Sequence, residues 1–154
     1  VVQWGLDEGG GVMQVCRTVV VDRPLERVFA YLADFSHVSQ WDPGTQEAVR
    51  SSGDGGIGTT YAVVSVFAGR RIPLAYTVTE VVPGSRFTAE AQTKTMSARD
   101  TMTFTAVGSG TSVTYDAHFA FSGGLKYVAW LLRPAFTRLG NEAEAGLRTA
   151  LEAL

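Results

Sequence analysis

The chain has almost none of the residues on which disulfide, thiol or metal chemistry is built. Its 154 residues include one cysteine, Cys16, and two histidines, His37 and His118. A single cysteine excludes an intramolecular disulfide, and a reducing cytoplasm is the expected compartment. No paired histidines or Cys/His cluster has metal-ligand spacing, so no metal is expected. No apolar run approaches the roughly 18 residues of a membrane span. The first residues lack the basic and apolar regions of a secretory signal. There is no block of basic residues and the net charge is −2, which argues against nucleic acid as a partner. Two glycine runs also fail on context. Gly53-Asp54-Gly55-Gly56-Ile57-Gly58 spells a dinucleotide fingerprint but opens a strand rather than a helix. Gly108-Ser109-Gly110 is a hairpin turn and not a nucleophile elbow. No nucleotide or other cofactor is expected.

What remains is an ordinary globular composition, 45% hydrophobic and 18% charged, at the length of one domain with a full core. Its organising stretch is the last thirty residues. From Pro134 onward, Phe136, Leu139, Gly140, Ala143, Leu147, Ala150, Leu151 and Leu154 recur at steps of three and four, one face of a helix. Glu144 and Arg148 form an expected i,i+4 pair on the other face. Pro134 suits the first helical turn. Residues 125–132 read as a separate turn or two, or as the same helix kinked.

Such a helix needs a surface to cover. Residues 14–21 are β-branched and read as a first strand. Asp22-Arg23-Pro24 then starts a helix with proline in its first turn, carrying the stripe Leu25, Val28, Phe29 and Leu32. Asp34 opens a second short helix that ends at Trp41-Asp42-Pro43-Gly44. Thereafter the period is two. Strands are expected at about 46–51, 59–67, 71–82, 86–93, 98–107 and 111–121, with turns at Ala68-Gly69, Pro83-Gly84 and Gly108-Ser109-Gly110. Residues 1–12 have no period and hold three successive glycines; they read as a leader or arm outside the fold. Residues 13–154 read as a single α+β domain.

The order and spacing of these pieces resemble the START/Bet v 1-like (SRPBCC) superfamily, and locally its polyketide cyclase/dehydrase and lipid-transport branch. The resemblance lies in Asp22-Arg23-Pro24 with Glu26, Val28 and Phe29, and in Trp41-Asp42-Pro43-Gly44. It continues in Gly56-Ile57-Gly58-Thr59, residues 76–83, and Gly110-Thr111 with Val113-Thr114-Tyr115, and ends around Gly146-Leu147. It implies a helix-grip fold, a curved antiparallel sheet of about seven strands around a long C-terminal helix. It also implies a deep apolar cavity between the two. The superfamily hosts enzymes, carriers and sensors, so the scaffold alone assigns no function.

Alternation tells which side chains face that cavity. Tyr115 and Phe119 lie on the inward phase of the last strand, with His118 on the solvent side. Met102 and Phe104 lie inward on the strand before it, and Asp100 shares their phase. A buried carboxylate is costly unless paired or protonated, which makes Asp100 the first polar candidate. The structural alternative pairs it with Arg71 or Arg99. Tyr61 and Tyr76 are also inward, either facing a ligand or as core tyrosines with backbone-satisfied hydroxyls. Glu80 is expected at the rim or in a structural hydrogen bond. Leu139, Ala143 and Leu147 face the sheet from the helix. Catalytic candidates are Asp100 and Tyr76 as acid/base, with Arg71 reaching the mouth to hold a carboxylate or enolate. Trp41 is expected to plug the core and Asp42 to cap or turn the chain.

The leading expectation is carriage or sensing of a small hydrophobic molecule, such as a lipid or polyketide, by a monomer or homodimer. The alternative is a polyketide aromatase/cyclase-type enzyme, and a third reading is an interaction module with no cavity. Polar groups converging deep in the pocket would mark an enzyme. Polar groups only at the mouth would mark a carrier, and a large exposed apolar patch without a pocket an interaction module.

Overall fold

The computed structural model describes residues 11–154. Seven strands make one sheet: β1 (Val12–Val21), β2 (Thr45–Ser52), β3 (Thr60–Phe67), β4 (Arg70–Val82), β5 (Arg86–Gln92), β6 (Met96–Val107) and β7 (Gly110–Phe121). Their spatial order is β1-β7-β6-β5-β4-β3-β2, and every neighbouring pair is antiparallel. Between β1 and β2 run α1 (Leu25–Leu32), a 3-10 turn (Phe35–His37) and α2 (Val38–Trp41). After β7 come α3 (Leu125–Val128), a second 3-10 turn (Ala129–Leu132) and the 20-residue α4 (Arg133–Glu152). This is the helix-grip fold. Register shifts in β2 and in β4 between Val78 and Glu80 bend the strands, as bulges do. The β4 shift resets the alternation, so Glu80 leaves the phase of Tyr76 and Val78 and pairs with Arg86 at 3.5 Å.

The helix α4 buries Phe136, Gly140, Ala143, Leu147 and Leu151, the stripe the sequence spacing predicts. Two glycines on it exist for close approach. A Cβ at Gly140 would lie 2.6 Å from Val15 Cγ1, and one at Gly146 would overlap the Trp41 carbonyl oxygen. The first presses α4 onto β1 and the second onto α2. Thus Gly140 is small because β1 needs the space, not only to leave room in a cavity.

Four local expectations need correction. β1 starts at Val12, and the Gly11 carbonyl accepts from the Phe121 amide at 2.7 Å. Val12 therefore belongs to the sheet rather than to an outside arm, and Gly11 is hydrogen-bonded to β7; the rest of that segment, 1–10, lies outside the described residues. Pro24 is the N-cap of α1 rather than part of its first turn, and its carbonyl accepts from the Arg27 and Val28 amides. The second short helix is a 3-10 turn followed by one α-helical turn. Finally, Glu144 and Arg148 do not pair with each other. Glu144 meets Arg17 of β1 at 3.4 Å, and Arg148 donates to the Val20 carbonyl at 3.5 Å. The nearby strand offers fixed partners, while an exposed i,i+4 pair contributes only about 0.2–0.5 kcal/mol.

Candidate functional site

Between α4 and the sheet lies a cavity of about 620 Å³, within the range of pockets that hold small organic ligands. Its inner end is closed by Phe35 and Val38, and its sheet wall carries Val63, Leu74, Tyr76, Tyr115 and Ala117. Leu139, Gly140 and Ala143 face these from α4. Toward the mouth, Phe136 packs on Phe67, Phe119 and Phe121 with ring centroids 4.7, 5.0 and 6.1 Å away. The rim is built from three segments: the β3–β4 turn with Ala68, Arg70 and Arg71, the β5–β6 turn with Thr93 and Thr95, and Leu125 with Leu132 after β7.

Two buried polar groups interrupt the apolar wall, Asp100 with Tyr76 and Tyr115, and Asp42 with Thr45. Asp100 lies on β6 opposite Ala89 of β5 and Ala117 of β7. Two alanines beside it leave the carboxyl unhemmed in the sheet. Tyr115 sits opposite Met102 and so reaches Asp100 along a diagonal between neighbouring strands, while Tyr76, opposite Ala91 on β5, reaches it from β4 across β5, whose Ala89 and Ala91 leave the space. Asp100 is 5% exposed, forms none of the structure's ion pairs, and its Oδ1 has no hydrogen-bond partner among the described residues. Burial is the main force pushing its pKa up to about 7, with the negative Asp42 adding to it. The Tyr76 and Tyr115 hydroxyls act the other way by favouring its ionised form. Both phenols are pushed well above their ordinary value, first by burial and then by Asp100. Asp42 also lines the cavity. Its carboxylate accepts from the Gly44 amide at 2.9 Å and the Thr45 hydroxyl at 2.8 Å, yet burial still raises its pKa.

The sequence-predicted residues divide into two groups. Asp100, Tyr76, Arg71, Tyr115, Phe119, Leu139 and Ala143 all line the cavity. Tyr61, Met102, Phe104 and Leu147 do not; each is buried in the packed core. The division is one of depth. Phe104 lies beyond Asp100 on β6, where α1 covers the sheet and Phe29 packs edge-on at 5.0 Å. Leu147 lies one helical turn beyond Ala143, where Gly146 has brought α4 onto α2. Tyr61 is held edge-on by Phe35 at 5.8 Å. Arg99 does not rescue Asp100, because it points outward to Glu90 at 2.5 Å. His118 pairs with Asp116 at 3.2 Å, and His37 stacks on Tyr31. The half-buried Cys16 thiol is pushed up mainly by burial. Trp41 plugs the core edge-on against Tyr115 at 5.2 Å.

Two residues of the site region were not foreseen in these roles. Asp42 was expected only to turn the chain, which it does, while its side chain also forms part of the cavity wall. No periodic element contains it, so alternation carries no signal. Arg17 is 7% exposed on the inward phase of β1, in step with Val15 and Val19, and that phase is visible in the sequence. It donates to the Cys16 carbonyl and to Asn141 Oδ1, each at 2.9 Å, and pairs with Glu144. It ties α4 to β1 outside the cavity.

Tyr61 leads to the first prediction. Its hydroxyl is buried with no hydrogen-bond partner among the described residues, a cost of about 1–3 kcal/mol. Tyr61→Phe is expected to raise stability by about 1 kcal/mol in urea unfolding. A loss of similar size would mean that the hydroxyl is satisfied.

A family model described as polyketide cyclase/dehydrase and lipid transport matches residues 13–152. No curated protein sequence matches the chain at a significant level. Among solved structures, an aromatase/cyclase from Streptomyces sp. R1128 superimposes with a TM-score of 0.77 at 13% identity, over 92% of this chain and 94% of that one. A protein from Thermus thermophilus gives 0.73 at 19% identity, over 91% and 94%. A START superfamily protein from Mycobacterium smegmatis gives 0.67 at 16% identity, over 91% and 94%. These likenesses establish the START/Bet v 1-like fold. Among the described residues, no helix is long and apolar enough to cross a membrane.

Proposed function

The chain belongs to the polyketide cyclase/dehydrase and lipid transport family, and we propose that it binds a small, mostly apolar molecule whose one polar end meets Asp100, Tyr76 and Tyr115. The observation that carries this reading is the cavity of about 620 Å³ into whose apolar wall Asp100 is buried beside Tyr76 and Tyr115, with its Oδ1 unpartnered among the described residues. Apolar walls supply the driving force, and a few placed polar groups fix orientation. A protonated Asp100 presents a hydroxyl donor to a ligand carbonyl or hydroxyl. Once ionised, it favours water over an apolar occupant.

The test is a titration with N-phenyl-1-naphthylamine, a neutral fluorescent probe, at pH 6 and pH 8. Affinity is expected to fall as pH rises through about 7, the value to which Asp100 is raised, and Asp100→Asn is expected to flatten that dependence. A wild type that binds no probe at either pH would end this reading. An undiminished pH dependence in Asp100→Asn would remove Asp100 from it.

The same group has a consequence for stability. The folded pKa of about 7 stands above the ordinary 3.8, so the folded chain holds this proton more tightly than the unfolded one. Its contribution is full below pH 3.8 and is lost as pH rises to about 7. Asp100→Asn should therefore stabilise the protein at pH 8, by at most about 4 kcal/mol for a shift of this size, with the gain vanishing near pH 4. Chemical denaturation of both proteins across that range measures it.

One observation favours catalysis as a second reading. Polar groups converge deep in the cavity, the mark expected of an enzyme, and an acid with a pKa of about 7 suits proton transfer at neutral pH. In this reading Asp100 moves protons in a cyclisation that loses water. Arg71 does not join it at the same carbon. It stands five residues from Tyr76 along β4, about 16 Å at the usual strand rise, and holds the ligand's outer end instead. Turnover of a model poly-β-keto thioester, abolished in Asp100→Asn, supports this reading. Unchanged thioester in the presence of a wild type that binds the probe leaves binding alone.

A further inference from the structure

The segment that carries α3 and the second 3-10 turn is apolar on both sides. Ala129 and the half-buried Leu132 face inward, which anchors the segment beside the cavity mouth. Its outward side carries Leu125, Tyr127, Val128, Trp130 and Leu131, with Tyr127 71%, Trp130 60% and Leu131 58% exposed. A helical segment that only met water would turn polar residues outward, and a surface apolar on both sides implies a further occupant.

Charge identifies that occupant. The chain as a whole is slightly acidic, with 15 acidic against 13 basic residues. The segments that build the mouth, residues 66–74, 92–97 and 121–137, contain Arg70, Arg71, Lys94, Lys126 and Arg133 and no aspartate or glutamate. Arg70 and Arg71 stand on the rim itself, and the Lys126 ammonium lies 5.0 Å from the Tyr127 ring. Exposed tryptophan, tyrosine and leucine set among lysines and arginines match the chemistry of a bilayer interface, where amphipathic rings sit at headgroup depth and cations meet anionic lipids.

We propose that the surface formed by residues 125–131 and the basic rim docks on the face of an anionic lipid bilayer, with the cavity mouth turned toward it. Trp130, Tyr127 and Leu131 enter the headgroup region, while Arg70, Arg71, Lys94 and Lys126 meet lipid phosphates. An apolar molecule then passes between bilayer and cavity without crossing water. Trp130 and Leu131 do not form the cavity wall, so substituting them tests docking separately from cavity binding, whereas Leu125, Arg70 and Arg71 belong to both.

Flotation of the full chain with phosphatidylcholine vesicles, with and without phosphatidylglycerol, tests the proposal. Binding is expected only to the anionic vesicles and is expected to fall as salt rises. Trp130→Ser combined with Leu131→Ser should lose at least about tenfold in partitioning while still binding N-phenyl-1-naphthylamine, which shows that it is folded. Arg70→Gln with Arg71→Gln should lose about 25-fold, at about fivefold per charge removed. Quenching of Trp130 fluorescence by brominated lipid, absent in Trp130→Phe, places the residue in the bilayer. The proposal fails if the wild type binds no vesicles at low salt, binds neutral vesicles equally well, or binds unchanged in the serine variant. It fails equally if sedimentation shows a dimer that the serine substitutions convert to monomer, because a second copy would then cover the surface.

Discussion

Ala143→Trp is expected to abolish binding of an apolar probe while leaving the protein folded. Ala143 lies on α4 against the cavity, and the indole has open volume to enter. Filling it adds buried apolar contact and forces no neighbour to move, so the melting temperature should change by no more than about 3 °C, or roughly 1 kcal/mol at this chain length. In a close-packed core the same substitution costs about 1–3 kcal/mol or more through overpacking. Probe titration and thermal melting on one variant therefore separate a cavity from a filled core. A variant that melts far below the wild type, beside a wild type that binds no probe, would mean there is no cavity.

Gly146→Ala, three residues along the same helix, is expected to do the opposite. Within a helix, glycine to alanine normally gains about 1 kcal/mol. Here the new Cβ would overlap the Trp41 carbonyl oxygen and lie 3.0 Å from its carbon. Both are backbone atoms, so no rotamer change relieves the clash and α2 must separate from α4. A net loss of about 3 kcal/mol is expected, at the upper end of overpacking costs. That corresponds to roughly 6–12 °C in melting temperature. Because α2 also carries Trp41 against Tyr115, probe affinity should weaken with it. A stabilised Gly146→Ala would contradict the close α2–α4 contact and with it the inner limit of the cavity.

That limit explains why the site was only partly legible in the sequence. Period-two alternation identifies a face, and it put Asp100, Tyr76, Tyr115 and Phe119 on the right one. It contains nothing about depth. Met102 and Phe104 share the phase of Asp100, yet α1 covers that end of β6 and takes them into the core. Leu147 shares the stripe of Ala143, yet the glycine contact at Gly146 closes the space beneath it. How far a cavity runs depends on how elements pack at long sequence separation. The order of elements was readable because turn residues and a change of period mark each boundary. Asp42 escaped because a residue between helix and strand belongs to neither period. The Glu144–Arg148 pair failed for a related reason, since a local rule contains no knowledge of Arg17 waiting on β1.

The central claim is that the space between α4 and the sheet is a binding site, and alanine methyl groups report on it directly. Ala117 and Ala143 line the cavity, whereas Ala89 and Ala98 are equally buried outside it. With alanine methyls labelled, titration with N-phenyl-1-naphthylamine should shift the Ala117 and Ala143 resonances in a saturable one-to-one manner and leave Ala89 and Ala98 in place. Unmoved Ala117 and Ala143 resonances, while the probe binds elsewhere or not at all, would contradict the account.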